Sequence, residues 1–214
     1  TIITNRGVIS LTGAGVITNG ASVFVDTTNG GGAAAGANIL YAGTINGTAG
    51  GGVEQISFAS GSGGNLTISG NVGSTTPLGF FGVTTANDVS IQGVSSANLS
   101  ITPSTPGGVI TLNGLLETTL AGADSVIING ATINVLGGIT TTNAAGTSSV
   151  LLTASTLLNV ASQLTAQGFF VKSGAGAVGL GANIDTSGAS TGNQNLLFNT
   201  GAYTVRVTAA TVPL

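Results

Sequence analysis

A chain of 214 residues with three Lys or Arg, six Asp or Glu, and no His, Cys, Met or Trp lacks most of the ionisable groups from which active sites are assembled. The missing Cys excludes a disulfide framework and a thiolate-held metal, and the missing His excludes a Ser-His-Asp triad. The net charge of -3 is spread thinly and offers no basic patch, which argues against nucleic acid and against an anionic membrane surface as partners.

A folded chain is still expected. Hydrophobic residues make up 42% and charged residues 4%, the reverse of the disordered signature. The 37 Gly follow no collagen period, and there are only 4 Pro. The length suits a single elongated all-β domain over residues 1–214, with a loop or boundary at 59–64. No run reaches the ~20 apolar residues of a spanning helix. The best stretch, Leu78-Gly79-Phe80-Phe81-Gly82-Val83, is short and broken by Gly. A membrane β-barrel is disfavoured because aromatic girdles are missing. An average soluble domain carries about 25% charged residues, so this composition fits an exported protein, extracellular or at the cell surface. Thr1 reads as a mature or excised start, and no signal peptide is expected within the chain.

Along the chain the dominant pattern has period two, the mark of strands with one buried face. Ile9-Ser10-Leu11-Thr12 alternates before Gly13, Leu66-Thr67-Ile68-Ser69 before Gly70, and Ile110-Thr111-Leu112-Asn113 before Gly114. The three segments resemble one another, each running from Gly to Gly: Gly7 to Gly13, Gly64 to Gly70, Gly108 to Gly114. A second pair aligns Ala86 to Gly93 with Ala123 to Gly130. Degenerate, irregularly spaced repeats of this kind fit a β-solenoid, whose insertions fall in loops. Gly-punctuated strands also match one another by convergence. The Gly-Ala-Ser stretches Gly30 to Gly36 and Ala59 to Gly64 read as wide loops or flexible boundaries. Ser148 to Phe170 reads as strand, although its Leu pairs also suit a short helix.

Asn-Gly occurs at Asn19, Asn29, Asn46, Asn113 and Asn129. Flanked by alternating apolar residues it is a hairpin signal, and in a solenoid the same pair turns a corner. Sequons begin at Asn46, Asn65 and Asn98, and matter only if the host glycosylates exported proteins. The aromatics Phe24, Phe58, Phe80, Phe81, Phe169, Phe170, Phe198, Tyr41 and Tyr203 suit core or corner packing better than a carbohydrate platform.

No constellation carries chemistry convincingly. Asp88 and Asp124 occupy neighbouring positions of the second repeat, so stacking would bring them close as the best available carboxylate pair. An ordinary turn role is the simpler expectation. Arg6, Asp26, Glu54, Glu117, Lys172, Asp185 and Arg206 are scattered and read as surface charges, some guarding sheet edges. No calcium loop and no phosphate-binding Gly-Lys motif occurs. No catalytic, cofactor-binding or metal-ligating residue is assigned, no cofactor is implied, and the chain is expected not to be an enzyme.

The most specific signal is Gly64-Asn65-Leu66-Thr67-Ile68-Ser69-Gly70 followed by Asn71-Val72-Gly73-Ser74-Thr75-Thr76-Pro77-Leu78-Gly79. It resembles a repeat of filamentous-haemagglutinin-like bacterial exoproteins, in which a short strand enters a Gly-x-Val-Gly-x-Thr-x-Pro-Leu-Gly type of turn. Val83 to Val89 looks like the strand that follows, and Thr165 to Phe169 and Ser173 to Gly176 are similar in style. The resemblance spans roughly residues 60 to 190. It implies the parallel β-helix of giant adhesins exported by two-partner secretion or autotransport, and an extracellular stalk without catalytic residues.

The fold expected is therefore all-β, a parallel β-helix or β-solenoid. The alternative is a pilin-like β-sandwich assembling by strand exchange, with Tyr203 to Thr208 or Thr1 to Thr4 as the donated strand. The function expected is a structural segment or subunit of an extracellular fibre or adhesin stalk, self-associating into fibres, with cell-surface or glycan contacts. Asn and Thr ladders would replace salt bridges on its faces. A glycan- or ice-binding surface is the remaining alternative, the ice reading resting only on Thr140-Thr141-Thr142.

Overall fold

The computed structural model describes residues 1–18, 20–48, 53–103, 108–118, 125–141, 148–165, 168–175, 177–182, 184–185, 195–198 and 205–207. They contain 21 strands and no helix. Every strand ladder among them is parallel, and the one antiparallel contact is an isolated bridge between Asn5 and Thr28. The chain is a β-solenoid. Strands pair with those one full turn later, from 18 residues on (Leu78 with Ser96) to 33 residues on (Ser22 with Gln55), close to the range of known solenoid repeats. Within the stretch Ser148 to Phe170 the described residues form the strands Ser148–Val160 and Leu164–Thr165 and the start of Gly168–Ser173, with no helix.

Three faces wind around one core. The first carries Ile9–Thr12, Ile39–Ala42, the start of Leu66–Val72, the start of Val89–Ile101, and Val109–Leu112. Its later strands are the end of Ser125–Val135, the end of Ser148–Val160, Ala177–Leu180 and Val205–Val207. The second face begins with Gly15–Ile17 and Ile45–Gly47 and continues through Leu116–Thr118 and Ile139–Thr141. The third begins with Ile2–Ile3, Ser22–Asp26 and Gln55–Ala59. Both candidate donor strands of the sandwich alternative are thus involved in rungs. Ile2–Ile3 pairs with Ser22–Asp26, and Val205–Val207 pairs with Ala177–Leu180.

Alternation converts directly into inward columns, because a parallel register stacks like on like. Ile9, Ile39, Leu66, Val89, Ile110, Ile133, Leu158 and Val178 form one column on the first face. Tyr41, Ile68, Ile91, Leu112, Val135, Val160 and Leu180 form the next. All are buried. Each such side chain contributes about 1.5–3 kcal/mol by leaving water. On the third face Phe58 and Phe81 stack with ring centroids 5.8 Å apart.

The three Gly-bounded segments sit on this one face, in register, with other rungs between them. Of their closing glycines, Gly13 is required by its positive φ of 92°, and Gly70 and Gly114 by close backbone contact. At the corner after the first face, a Cβ on Gly43 would collide with the backbone of Gly13, and one on Gly70 with that of Gly43. Gly137 is placed in the same way against Gly114. Backbone lies on backbone there, and only glycine fits.

The second repeat pair does not stack. Val89 pairs with Ile110 on the first face, whereas Val126 pairs with Leu99 on the third. Their likeness is convergence between two Gly-punctuated strands. The hairpin use of Asn-Gly is also overturned for the pairs within the described residues. Asn29 and Gly30 both have positive φ and open a turn. Asn113-Gly114 forms a corner, Asn46-Gly47 closes a strand, and Asn129-Gly130 lies inside Ser125–Val135 at a register shift. At each corner among the described residues the chain advances to the next face without reversing. Asn19 lies outside the described residues.

Candidate functional site

The corner leading into the first face is tied by side chains. Asn65 N–H donates to Asn38 Oδ1 (2.9 Å). Asp88 N–H and Asn87 Nδ2 donate to Asn65 Oδ1 (3.2 and 3.0 Å). Val109 N–H donates to Asp88 Oδ1 (2.8 Å). This is an Asn ladder at a corner, whereas the sequence predicts Asn and Thr ladders on the faces, and Asp88 is one of its steps. The proposed Asp88–Asp124 pair loses its basis, because the strands after the two residues lie on different faces. Asp124 itself lies outside the described residues.

Two acidic residues read as surface charges are buried. Asp26 ends a third-face strand and folds back on its own turn. Its Oδ1 accepts from Thr28 N–H and Thr28 Oγ1, both at 2.6 Å, and its Oδ2 accepts from Gly30 N–H at 2.7 Å. Burial pushes the Asp26 carboxyl up, but these hydrogen bonds outweigh it and hold it below the usual carboxylate range. Glu54 is buried with Oε1 facing Thr48 N–H (3.2 Å) and Thr48 Oγ1 (3.1 Å). Only the Asp-Thr-Thr-Asn-Gly run at Asp26 gave a sequence signal for this, an Asx-turn pattern. Tyr41 is buried in the core, and desolvation raises its phenol.

The stretch 59–64 is a corner clamped to the rung before it. Ser62 and Gly63 N–H donate to Ala34 and Ala35 carbonyls (2.9 and 2.8 Å). Below them the buried Thr27 Oγ1 accepts from Ala37 N–H (2.9 Å) and reaches the Ser60 carbonyl (3.2 Å).

At the corner between the second and third faces, successive rungs differ in length. Strand Leu66–Val72 is joined to Leu78–Thr85 by Gly73 to Pro77, while the next rung crosses the same corner inside the unbroken strand Val89–Ile101. The longer rung overhangs the shorter one. Gly73 N–H is anchored to the Ile45 carbonyl (2.6 Å), and Thr75 N–H to Asn46 Oδ1 (2.9 Å), so the overhang is held in place. Beneath it lies a notch of about 470 Å³. Asn71, Ser74, Thr75 and Pro77 form its wall, Val94 and Ser95 its floor, and Leu115 and Glu117 its far side. Glu117 is half-buried and stacks in register between Ser95 and Thr140.

A second, more apolar opening of about 270 Å³ is lined by Ile2, Leu11, Ile17, Tyr41 and neighbouring core residues at the first rung. Among the described residues there is no group of His, Cys, Asp or Glu able to hold a metal ion, and no helix is long and apolar enough to cross a membrane. Thr141 is buried and Thr140 half-buried, so they form no exposed threonine array, and Thr142 lies outside the described residues. Phe58, Phe81 and Tyr41 serve the core, while Phe24 and Phe80 are half-buried. Asn46 and Asn65, which begin two sequons, present their side-chain oxygens to neighbouring rungs.

Comparison with protein-family models, with curated proteins and with solved structures finds no match to this chain.

Proposed function

We propose that this chain is a non-enzymatic structural protein, a segment or subunit of an extracellular bacterial fibre or adhesin stalk. The observation that carries the reading is the continuity of the inward columns on the first face, aliphatic but for Tyr41, from Ile9 to Leu180. Such a stack is held by backbone pairing and aliphatic burial, and lengthens without needing a new core. The buried Asp26 carboxylate supports the same reading, since it ties a turn. Secretion is supported by the scarcity of charge. The resemblance of Gly64 to Gly79 to filamentous-haemagglutinin-like exoproteins supports the adhesin assignment.

Electron microscopy of the purified protein at neutral pH tests the proposal. Filaments with an axial repeat of one chain identify a fibre subunit, and uniform short rods identify a stalk segment. Compact isotropic particles would sink both.

A further inference from the structure

We propose that the notch under Gly73 to Pro77 is a binding site for a neutral saccharide unit. The inference goes beyond the scaffold reading and does not depend on it.

The notch is where this solenoid leaves its polar groups unspent. Asn71, Ser74, Thr75, Ser95 and Glu117 bring one amide, three hydroxyls and one carboxylate to a single cavity. None of these side chains makes a hydrogen bond or ion pair with the described residues. Comparable residues one corner away are consumed by the fold, as Asn38, Asn65 and Asp88 are in their ladder. The wall that carries Ser74 and Thr75 is fixed by the anchors to Ile45 and Asn46, so the site is preformed rather than assembled on binding.

The chemistry selects the ligand class. An anion is excluded by Glu117, because none of the chain's three basic residues lines the cavity. A divalent cation needs six or more oxygens and more than one carboxylate for firm binding, which this site does not offer. A purely apolar ligand would bury five unpaired polar groups. A simple ammonium would pair with Glu117 and leave the hydroxyls and the amide unused. A saccharide answers all of these. Adjacent ring hydroxyls donate to the two oxygens of Glu117, further hydroxyls exchange hydrogen bonds with Ser95, Thr75 and Asn71, and the C–H face of the ring covers the exposed Leu115. A volume of about 470 Å³ falls in the range of small-molecule sites and accommodates one or two sugar rings.

The test is NMR of the 15N-labelled protein titrated with glucose, galactose, mannose, N-acetylglucosamine, lactose, maltose and cellobiose, each to about 50 mM, enough to see millimolar affinity. At least one sugar should give saturable shifts at the amides of Gly73, Ser74, Thr75, Ser95 and Glu117, leaving Thr67 and Thr111 on the first face unmoved. Glu117→Gln should weaken that binding about tenfold, as expected for loss of a charge-assisted hydrogen bond. Ser95→Ala should weaken it several-fold, and Thr67→Ala should leave it unchanged. Unchanged melting temperatures would show that the variants remain folded. If no sugar in the panel gives saturable shifts there, the proposal fails. It fails equally if Glu117→Gln binds as the parent does, or if only calcium chloride or n-butylamine produces the shifts.

Discussion

At the corner before the first face, Asn38, Asn65 and Asp88 each accept an N–H from the following rung. At the corner between the second and third faces, Asn71, Ser74, Thr75, Ser95 and Glu117 accept none and surround a notch. Both corners carry polar residues, Asn and a carboxylate among them, and the second adds Ser and Thr. They differ in how rung length changes from one turn to the next. Where successive rungs turn alike, side chain meets backbone at a constant offset and a ladder closes. Where a corner of several residues sits above a nearly direct crossing, the offset is lost and polar groups face solvent. Faces fix the fold here, and changes in corner length create room for a site.

The largest expected effect lies beneath both corners. Phe81→Ala removes a fully buried ring packed on Phe58 and should cost about 3–5 kcal/mol in denaturant unfolding. A loss below about 1 kcal/mol would mean that the third-face core is not packed as described. Gly70→Ala comes next, at about 1–3 kcal/mol, because the added methyl meets the Gly43 backbone and forces the rungs apart. An unchanged midpoint would refute backbone-on-backbone stacking at that corner.

The sharpest comparison is Asn65→Ala against Asn71→Ala. The first strips acceptors from Asp88 N–H and Asn87 Nδ2 and should cost about 1–2 kcal/mol. The second touches no hydrogen bond of the fold and should stay within about 0.5 kcal/mol. Equal losses would erase the distinction between the two corners.

The smallest effect is that of pH, since so few groups titrate. Asp26 has a lowered folded pKa, so its contribution is present above the usual carboxylate range and is lost as pH falls through its folded value. Tyr41 has a raised folded pKa, so stability is lost as pH rises past about 10. Melting temperature should be nearly flat from pH 5 to 8 and fall at both extremes. Asp26→Asn should blunt the acid limb and Tyr41→Phe the alkaline one. A strong slope between pH 5 and 8 would show that another ionisable group governs stability.

The fold was legible because period-two alternation and a parallel register make the same demand on sequence. Ile9-Ser10-Leu11-Thr12 and Leu66-Thr67-Ile68-Ser69 announce both their strand and their shared face. What local pattern cannot carry is which face a segment occupies. That depends on the residues spent in preceding corners, and it is why Ala86 to Gly93 and Ala123 to Gly130 look alike yet lie apart. The notch was hidden for the same reason. Gly73 to Pro77 is visible as a turn, but its role as an overhang depends on the shorter rung that follows. The burial of Asp26 and Glu54 was missed because a charged residue is rarely enclosed unless its partners come with it, and for Glu54 the partner Thr48 arrives from a different face.

Strictly parallel winding also sets how this protein would respond to force. Among the described residues every strand ladder is parallel and no two strands form a hairpin, so tension on the two ends should peel one coil at a time rather than load the whole stack at once. Each release frees one turn, 18 to 33 residues, or about 6 to 12 nm of extended chain. A pulling trace should therefore be a staircase of small, unequal steps, the unevenness recording the different corner lengths, and one all-or-none rupture would contradict it. A filament built this way yields gradually and dissipates load along its length.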